Sequence, residues 1–264
     1  MTCDRRLSII LPSYKDQRIT RAIRSIREFD DAGLVQIVIV DGGSGQGLLD
    51  AIRAALTDSD VLLSDPDKGI FDALNKGLDR CDTEFIGWLG SDDMFTGRLR
   101  ASEVVLMLES HDLFIANMVH FRGEFASRTT FAWPAAHGLV KFGFNNPHFS
   151  TFGKASLFKS KRFILGMRAS DIDYFLRVFA HRPDTARSSA VAVVSEEGGF
   201  SSESRRLVFQ SNMQLVGVYA RHTGMLIALL SVVFKLVFKS TLVLAFRLRR
   251  IRVRDLLTFD PGPL

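Results

Sequence analysis

Cysteine is almost absent: Cys3 and Cys81 are the only two among 264 residues. So few thiols, so far apart, exclude a disulfide-stapled fold and a cysteine zinc knuckle, and the count suits a reducing cytosolic compartment. A secretory leader is not expected either. The apolar run in "MTCDRRLSIILPSYKD" is too short for a signal peptide, so the chain is expected to begin in the cytoplasm and stay on that side. The segment "LPSYKDQR" holds no glycine, which argues against the glycine- and base-rich phosphate loop of a nucleotidyltransferase. No internal repeat or low-complexity tract is present. With 47% hydrophobic residues, disorder is excluded and there is ample material for a core.

What the chain does have is alternation. "LSIIL" (7–11), "QIVIVD" (36–41), "DVLLS" (60–64) and "EFIGWL" (84–89) are short apolar runs bounded by turn residues, the pattern of buried strands. Between them Ile19, Ala22, Ile23, Ile26 and Phe29 recur at helical spacing, as do Leu48, Leu49, Ile52, Ala55 and Leu56. A third helix is expected from about Gly69 to Leu78. Strand and helix in strict alternation predict an α/β fold, a mostly parallel sheet flanked by helices. Beyond residue 95 the regularity loosens: a helix over 98–109, a strand over 112–119, an aromatic, loop-rich stretch over 121–152, a helix over 170–180 and a strand over 190–195. Three regions follow: 1–95 and 96–210 as two halves of one domain, and 211–264 as a helical, apolar and basic C-terminal extension.

In such sheets ligands bind outside the carboxyl ends of the strands. Asp41, Asp65, Asp67, Asp92 and Asp93 all follow strand ends. Taken singly, each is most simply a turn or capping residue; five at one edge ask for more. Neighbouring carboxylates in "GWLGSDDMF" (87–95) suit a hard divalent cation bound through oxygen, and a cap facing water explains them equally well on that motif alone.

The neighbours separate the two readings. "SIILPSYKD", "IVIVDGGS", "DKGIFDALNKG", "FIGWLGSDD", "ASDIDYFLRV" and "EEGGFSS" occur in the order and spacing that resemble family 2 glycosyltransferases of GT-A fold, over about residues 7–205. The resemblance implies an inverting transfer of a sugar from a nucleoside-diphosphate donor, a UDP-sugar by family frequency, to a hydroxyl acceptor, with Mn²⁺ or Mg²⁺ as cofactor. It places Pro12, Tyr14, Asp41, Asp67, Gly69, Asn75 and Asp92 around the donor, Asp93 and Asp92 at the metal, and Asp171 as general base, with Asp173 as its understudy. His148 and Gly199 fall on the acceptor side. Two departures stand out. Many relatives have an acidic residue where this chain has Gly90, and arginine where it has Leu74; Lys68, Arg98 or the metal would then contact the diphosphate. The form of "DKGIFDALNKG" is common in enzymes of bacterial surface polysaccharide synthesis, which points to a lipid-linked or saccharide acceptor. The rival readings are a membrane-anchored, non-catalytic sugar-nucleotide-binding scaffold and a nucleotidyltransferase.

The tail supplies the last signal. Residues 224–246, "GMLIALLSVVFKLVFKSTLVLAF", are long enough to cross a bilayer. Their aliphatic and Phe side chains favour insertion by about 6 kcal/mol, and Lys235 and Lys239 oppose it by about as much. Ser231, Lys235 and Lys239 share one helical face, which suits a helix lying in the interface, and the arginines of "RLRRIRVR" (247–254) beyond it suit anionic lipid rather than nucleic acid. Peripheral or integral association with the cytoplasmic face of the inner membrane is expected; a packing helix in a homo-oligomer is the alternative.

Overall fold

The computed structural model describes residues 5–132, 147–197, 205–231 and 251–261. Strands β1 (Leu7–Ser13), β2 (Val35–Asp41), β3 (Val61–Ser64) and β4 (Phe85–Trp88) form the parallel half of the sheet in the order β3-β2-β1-β4. β1 and β2 are buried at every residue, which is why they read as continuous apolar runs rather than alternating ones. Helices α1 (Ile19–Phe29), α2 (Gln46–Ala55) and α3 (Ile70–Arg80) connect them. The helical stripe expected on α1 is its buried face, and Phe29 stacks on Phe95 with ring centroids 4.3 Å apart. On α3, Gly77 lies so close to β1 that a β-carbon there would meet Ile10 Cγ2 at 2.4 Å.

The sheet continues without a break into the second half. After β5 (Asp93–Phe95) and α4 (Ala101–Ser110) come β6 (Leu113–Arg122), β7 (Phe125–Thr130) and β8 (Thr151–Lys154). The short helix α5 (Ala155–Lys159), α6 (Ser170–Phe179), β9 (Thr185–Glu196) and α7 (Arg205–Thr223) complete it. The full order is β3-β2-β1-β4-β8-β6-β9-β5, with β7 paired to β6. β4–β8, β8–β6, β6–β7 and β9–β5 are antiparallel, whereas β6–β9 is parallel. One core cluster, including Ile9, Ile37, Phe95, Phe114 and Val193, spans the 95/96 boundary.

Three local expectations change. Residues 121–152, expected as loop-rich, contain β7; the strand expected at 190–195 already begins at Thr185; and Asp93, expected after a strand end, itself opens a further strand. Among the described residues no helix is long and apolar enough to cross a membrane. The apolar tail is described only as far as residue 231, where a helix over 225–231 follows α7. The chain is described again from Ile251. There Val253 and Leu257 pack with Met94, Val119, Phe121 and Val194, on the strands of the second half.

Candidate active site

The crevice lies where β4 parts from β1. Their register ends at Ile10↔Trp88, and the chain of β4 turns off through Gly90 while β1 runs on through Pro12 to Ser13. Pro12 is buried within β1, and with no N–H to offer it fits a position where the neighbouring strand has left. Pro12 therefore lies within the strand and not in the loop that follows it. Tyr14, the first residue after β1, is 59% exposed.

Three loops meet here. The Lys15 backbone N–H donates to Ser44 Oγ at 2.8 Å, and Ser91 Oγ donates to Asp16 Oδ2 at 2.9 Å, so the loop after β1 is tied to those after β2 and β4. Asp41 is fully buried. Its carboxylate accepts from the backbone of Gly43 and Ser44 and from the hydroxyls of Ser44 and Ser64. Burial alone would raise its pKa, yet those donors outweigh it and hold the carboxyl below its ordinary value. Three of the four donors converge on Oδ2 and only the Ser44 hydroxyl meets Oδ1, so Asp41 organises the loop and keeps acceptor capacity at Oδ1. Asp67 lies against Gly42, where a β-carbon would meet its Oδ2 at 2.5 Å, and it accepts the Gly69 N–H at 2.8 Å. Gly69 takes a φ of +104° at the head of α3, a conformation that favours glycine.

Asn75 turns away from the crevice. Its amide donates to the Phe163 carbonyl at 3.0 Å and accepts the Phe163 N–H at 2.9 Å, clamping α3 to the segment before α6. Leu74 is 6% exposed inside a core cluster with Ile10 and Val38, so no diphosphate contact comes from that position. Arg98 does not reach the crevice either: its guanidinium donates to the carbonyls of Asp255 and Leu256. The Lys68 backbone N–H binds Asp72 at 3.0 Å, and the residue is exposed.

At the centre Asp93 is 2% exposed, and neither of its carboxylate oxygens has a hydrogen-bond partner. Burial, and then the charge of Asp92, push its pKa up to about 8; Ser195, opposite it in the β5–β9 ladder, is near enough to offset this in part although its hydroxyl does not reach hydrogen-bond geometry. Asp92 is also raised, chiefly by burial. Both carboxylates crowd the space left by Gly90: a β-carbon there would lie 2.7 Å from Asp93 Oδ2 and 2.9 Å from Asp92 Oδ1. Unpaired buried carboxylate oxygens are costly unless something compensates them. The pair therefore fits a hard divalent cation. Further ligands for such an ion would have to come from outside the pair, since no group of three or more His, Cys, Asp or Glu is gathered among the described residues.

Several contributors were not singled out from the sequence. Arg18 binds Asp16 and Glu196 at 2.9 Å and reaches Asp92 at 3.9 Å, and Arg21 adds a second cation at 3.3 Å from Glu196. Asp16 follows a strand end as Asp41 does, so the same rule finds it. Arg18 and Glu196 carry no such signal, because only the curl of the sheet brings the end of β9 beside α1.

Across β4 lies the second group. Trp88 Nε1 donates to the His148 carbonyl at 2.7 Å, and His148 Nδ1 is 3.0 Å from Asp171 Oδ2. Asp171 stands in the first turn of α6 with its side chain 36% exposed. Asp173 is a different case: it is buried and bound by Arg177 at 2.8 Å and His222 at 3.2 Å, which removes it as an alternative base. Gly199 lies outside the described residues.

Residues 8–174 match the sequence model of glycosyl transferase family 2. The chain belongs to that family. Among curated proteins this glycosyltransferase is 28% identical over 205 residues to the PGL/p-HBAD biosynthesis glycosyltransferase of Mycobacterium bovis (strain BCG / Pasteur 1173P2), covering 74% of this chain and 78% of that one. Among solved structures it resembles S. aureus TarS 1–349 in complex with UDP-GlcNAc, with a TM-score of 0.60 and 15% identity over 80% of this chain and 66% of that one. It spans 39% of the longer TarS chain. It also resembles the mannosyltransferase PcManGT from Pyrobaculum calidifontis in complex with GDP-Man and Mn²⁺, with a TM-score of 0.61 and 16% identity over 94% and 75% of the two chains. These neighbours share the α/β fold and the helix-flanked sheet of the GT-A glycosyltransferases.

Proposed function

We propose that this glycosyltransferase inverts the anomeric centre as it moves a sugar from a nucleoside-diphosphate donor to a hydroxyl acceptor, and that it needs a divalent cation. The observation that carries the reading is the Asp92–Asp93 pair, with its two unpartnered, buried oxygens facing the space at Gly90. Mn²⁺ or Mg²⁺ held by these carboxylates would neutralise charge on the leaving diphosphate. Such ions often take only one or two protein carboxylates, the remainder of the shell coming from substrate phosphates and water. Tyr14, Asp67 and Gly69 border the donor end of the crevice. On the other side Asp171 takes the proton of the acceptor hydroxyl as its oxygen attacks the anomeric carbon, and the electron pair of the broken C–O bond leaves with the diphosphate. A UDP-sugar is favoured, in keeping with the UDP-GlcNAc complex of TarS.

The test is a thermal-shift screen of UDP-glucose, UDP-N-acetylglucosamine and GDP-mannose with and without Mn²⁺, since a ligand of the folded state raises its stability. A metal-dependent shift is expected in the wild type, lost in Asp93→Asn and kept in Asp171→Asn, which should abolish transfer. A shift in Asp93→Asn equal to the wild type's refutes the metal assignment.

The acceptor reading is a lipid-linked glycan precursor met at the cytoplasmic face of the inner membrane. Support comes from Met225, Leu226, Leu229 and Leu230, all more than half exposed, on a helix that packs through Ala228 against α6 and α7. Residues 213–231 and 251–257 both rest on the same body, whereas a single crossing would set its two flanks about 30 Å apart. Attachment to one membrane face is therefore favoured over a span. Leu226→Glu combined with Leu230→Glu should move the protein from the membrane to the soluble fraction; unchanged partition of that variant refutes this surface.

A further inference from the structure

His148 and Asp171, which the sequence offered for separate roles, form one unit: Nδ1 and Oδ2 are 3.0 Å apart. The residue is held from two further directions. Its ring lies flat on Phe175, with centroids 4.7 Å apart and planes at 7°, and its backbone carbonyl accepts the Trp88 indole N–H. Phe175 is one helical turn beyond Asp171 on α6, so one helix supplies both the carboxylate and the surface on which its partner's ring rests. Phe175 and Trp88 are themselves packed edge to face, at 5.7 Å, within a cluster that includes Phe158, Phe163 and Tyr174. A ring so fixed has little freedom left, and it meets a carboxylate that stands in the first turn of the helix with its side chain a third exposed.

We propose that His148 is a positioning residue for the base. With its proton on Nδ1, the imidazole closes the 3.0 Å contact as a hydrogen bond to Asp171 Oδ2, fixing the carboxylate beside the end of β4, where donor and acceptor meet. The bond does two things. It holds the proton acceptor in a single geometry, and misplacement by an ångström costs about a hundredfold in rate. It also stabilises the anion, keeping the carboxylate ready to take a proton. The proposal rests on Asp171 as the base, and the tests separate the two claims.

In uniformly ¹⁵N-labelled protein without ligands, His148 should show a ring Nδ1–H protected from exchange, and Asp171→Ala should abolish that protection. A freely exchanging Nδ1–H in the wild type overturns the proposal. Turnover then tests its consequence, read as nucleotide release from UDP-glucose, UDP-N-acetylglucosamine or GDP-mannose with Mn²⁺. His148→Phe keeps a flat ring on Phe175 and removes the donor. It should lower kcat about a hundredfold with little change in donor KM, and move the acid limb of the kcat/KM profile to higher pH. His148→Asn, whose amide N–H falls near the Nδ1 position, should recover most of the rate. An unchanged rate and pH profile in His148→Phe overturns the proposal, and so does a His148→Asn variant as slow as His148→Phe, since the imidazole itself would then be the base. Full turnover in Asp171→Asn instead removes Asp171 as the base.

Discussion

At Gly90 the missing side chain is what allows Asp92 and Asp93 to approach one another, for a β-carbon there would sit within 3 Å of an oxygen from each. The sequence comparison made this position look like a lost acidic ligand. The geometry gives it a use, since the two remaining carboxylates occupy the room that a longer residue would take. Gly90→Ala should therefore push both carboxylates aside. An expected result is about tenfold weaker Mn²⁺-dependent binding of UDP by calorimetry, about 1.4 kcal/mol, with nearly unchanged binding when metal is absent. Equal affinity in the presence of Mn²⁺ would show that the space is not used. The same residue-by-residue view separates the two aspartates of "SDID". Three residues of sequence hold both, yet Arg177 and His222 claim Asp173 while Asp171 meets His148. Spacing along the chain contains none of this, because both His148 and His222 arrive from other elements.

Elements were more legible than contacts. β1, β2 and β4 are buried on both faces and so announce themselves as apolar runs, and α1 carries its stripe at a clean helical period. The strands of the second half are less visible for a physical reason. β7 reads "FASRTT" and has only one fully apolar aromatic residue, while β5 is three residues long and begins with a carboxylate. Their strand state depends on partners distant in sequence, β6 and β9, rather than on local pattern. The C-terminal segment is the clearest instance. Residues 251–258 lie along the second half through Val253 and Leu257. The Thr258 N–H donates to the Thr96 carbonyl at 2.9 Å, and Arg98 grips the carbonyls of Asp255 and Leu256. That strap braces the strand that begins at Asp93. Leu257→Ala should lower stability by about 2 kcal/mol, about 4–8 °C in Tm, and should also weaken UDP–Mn²⁺ binding, whereas truncating the exposed Leu106 should do neither. A loss of stability with donor binding intact would confine the strap to folding.

Over the whole molecule the carboxylates fall into two groups with opposite effects on stability. Asp41 and Asp60 are buried, which alone would raise them, but the donors around each prevail and hold them below the ordinary value; at the surface, Lys154 does the same for Asp112. Stability from this group is present above the ordinary carboxylate pKa and is lost as pH falls through the lowered values. Asp93 behaves in the reverse sense. Its folded pKa is raised by burial and by Asp92, so the protonated form is the one the fold prefers. That contribution is complete below the ordinary carboxylate value and disappears as pH climbs through the raised one. Without metal, the protein should thus lose stability on the alkaline side, between about pH 5 and about pH 8.5, as Asp93 is forced to ionise with no partner. Denaturant unfolding at the two pH values would measure the slope. Asp93→Asn should flatten it while leaving the acid limb in place, because the acid limb belongs to the other group. Mn²⁺ should stabilise the wild type most at the higher pH, where the ionised pair is available to it, and should do little for the variant. If the wild type without metal is instead as stable at the higher pH as at the lower, the Asp93 carboxylate is compensated within the protein and the crevice does not need a cation to hold its charge.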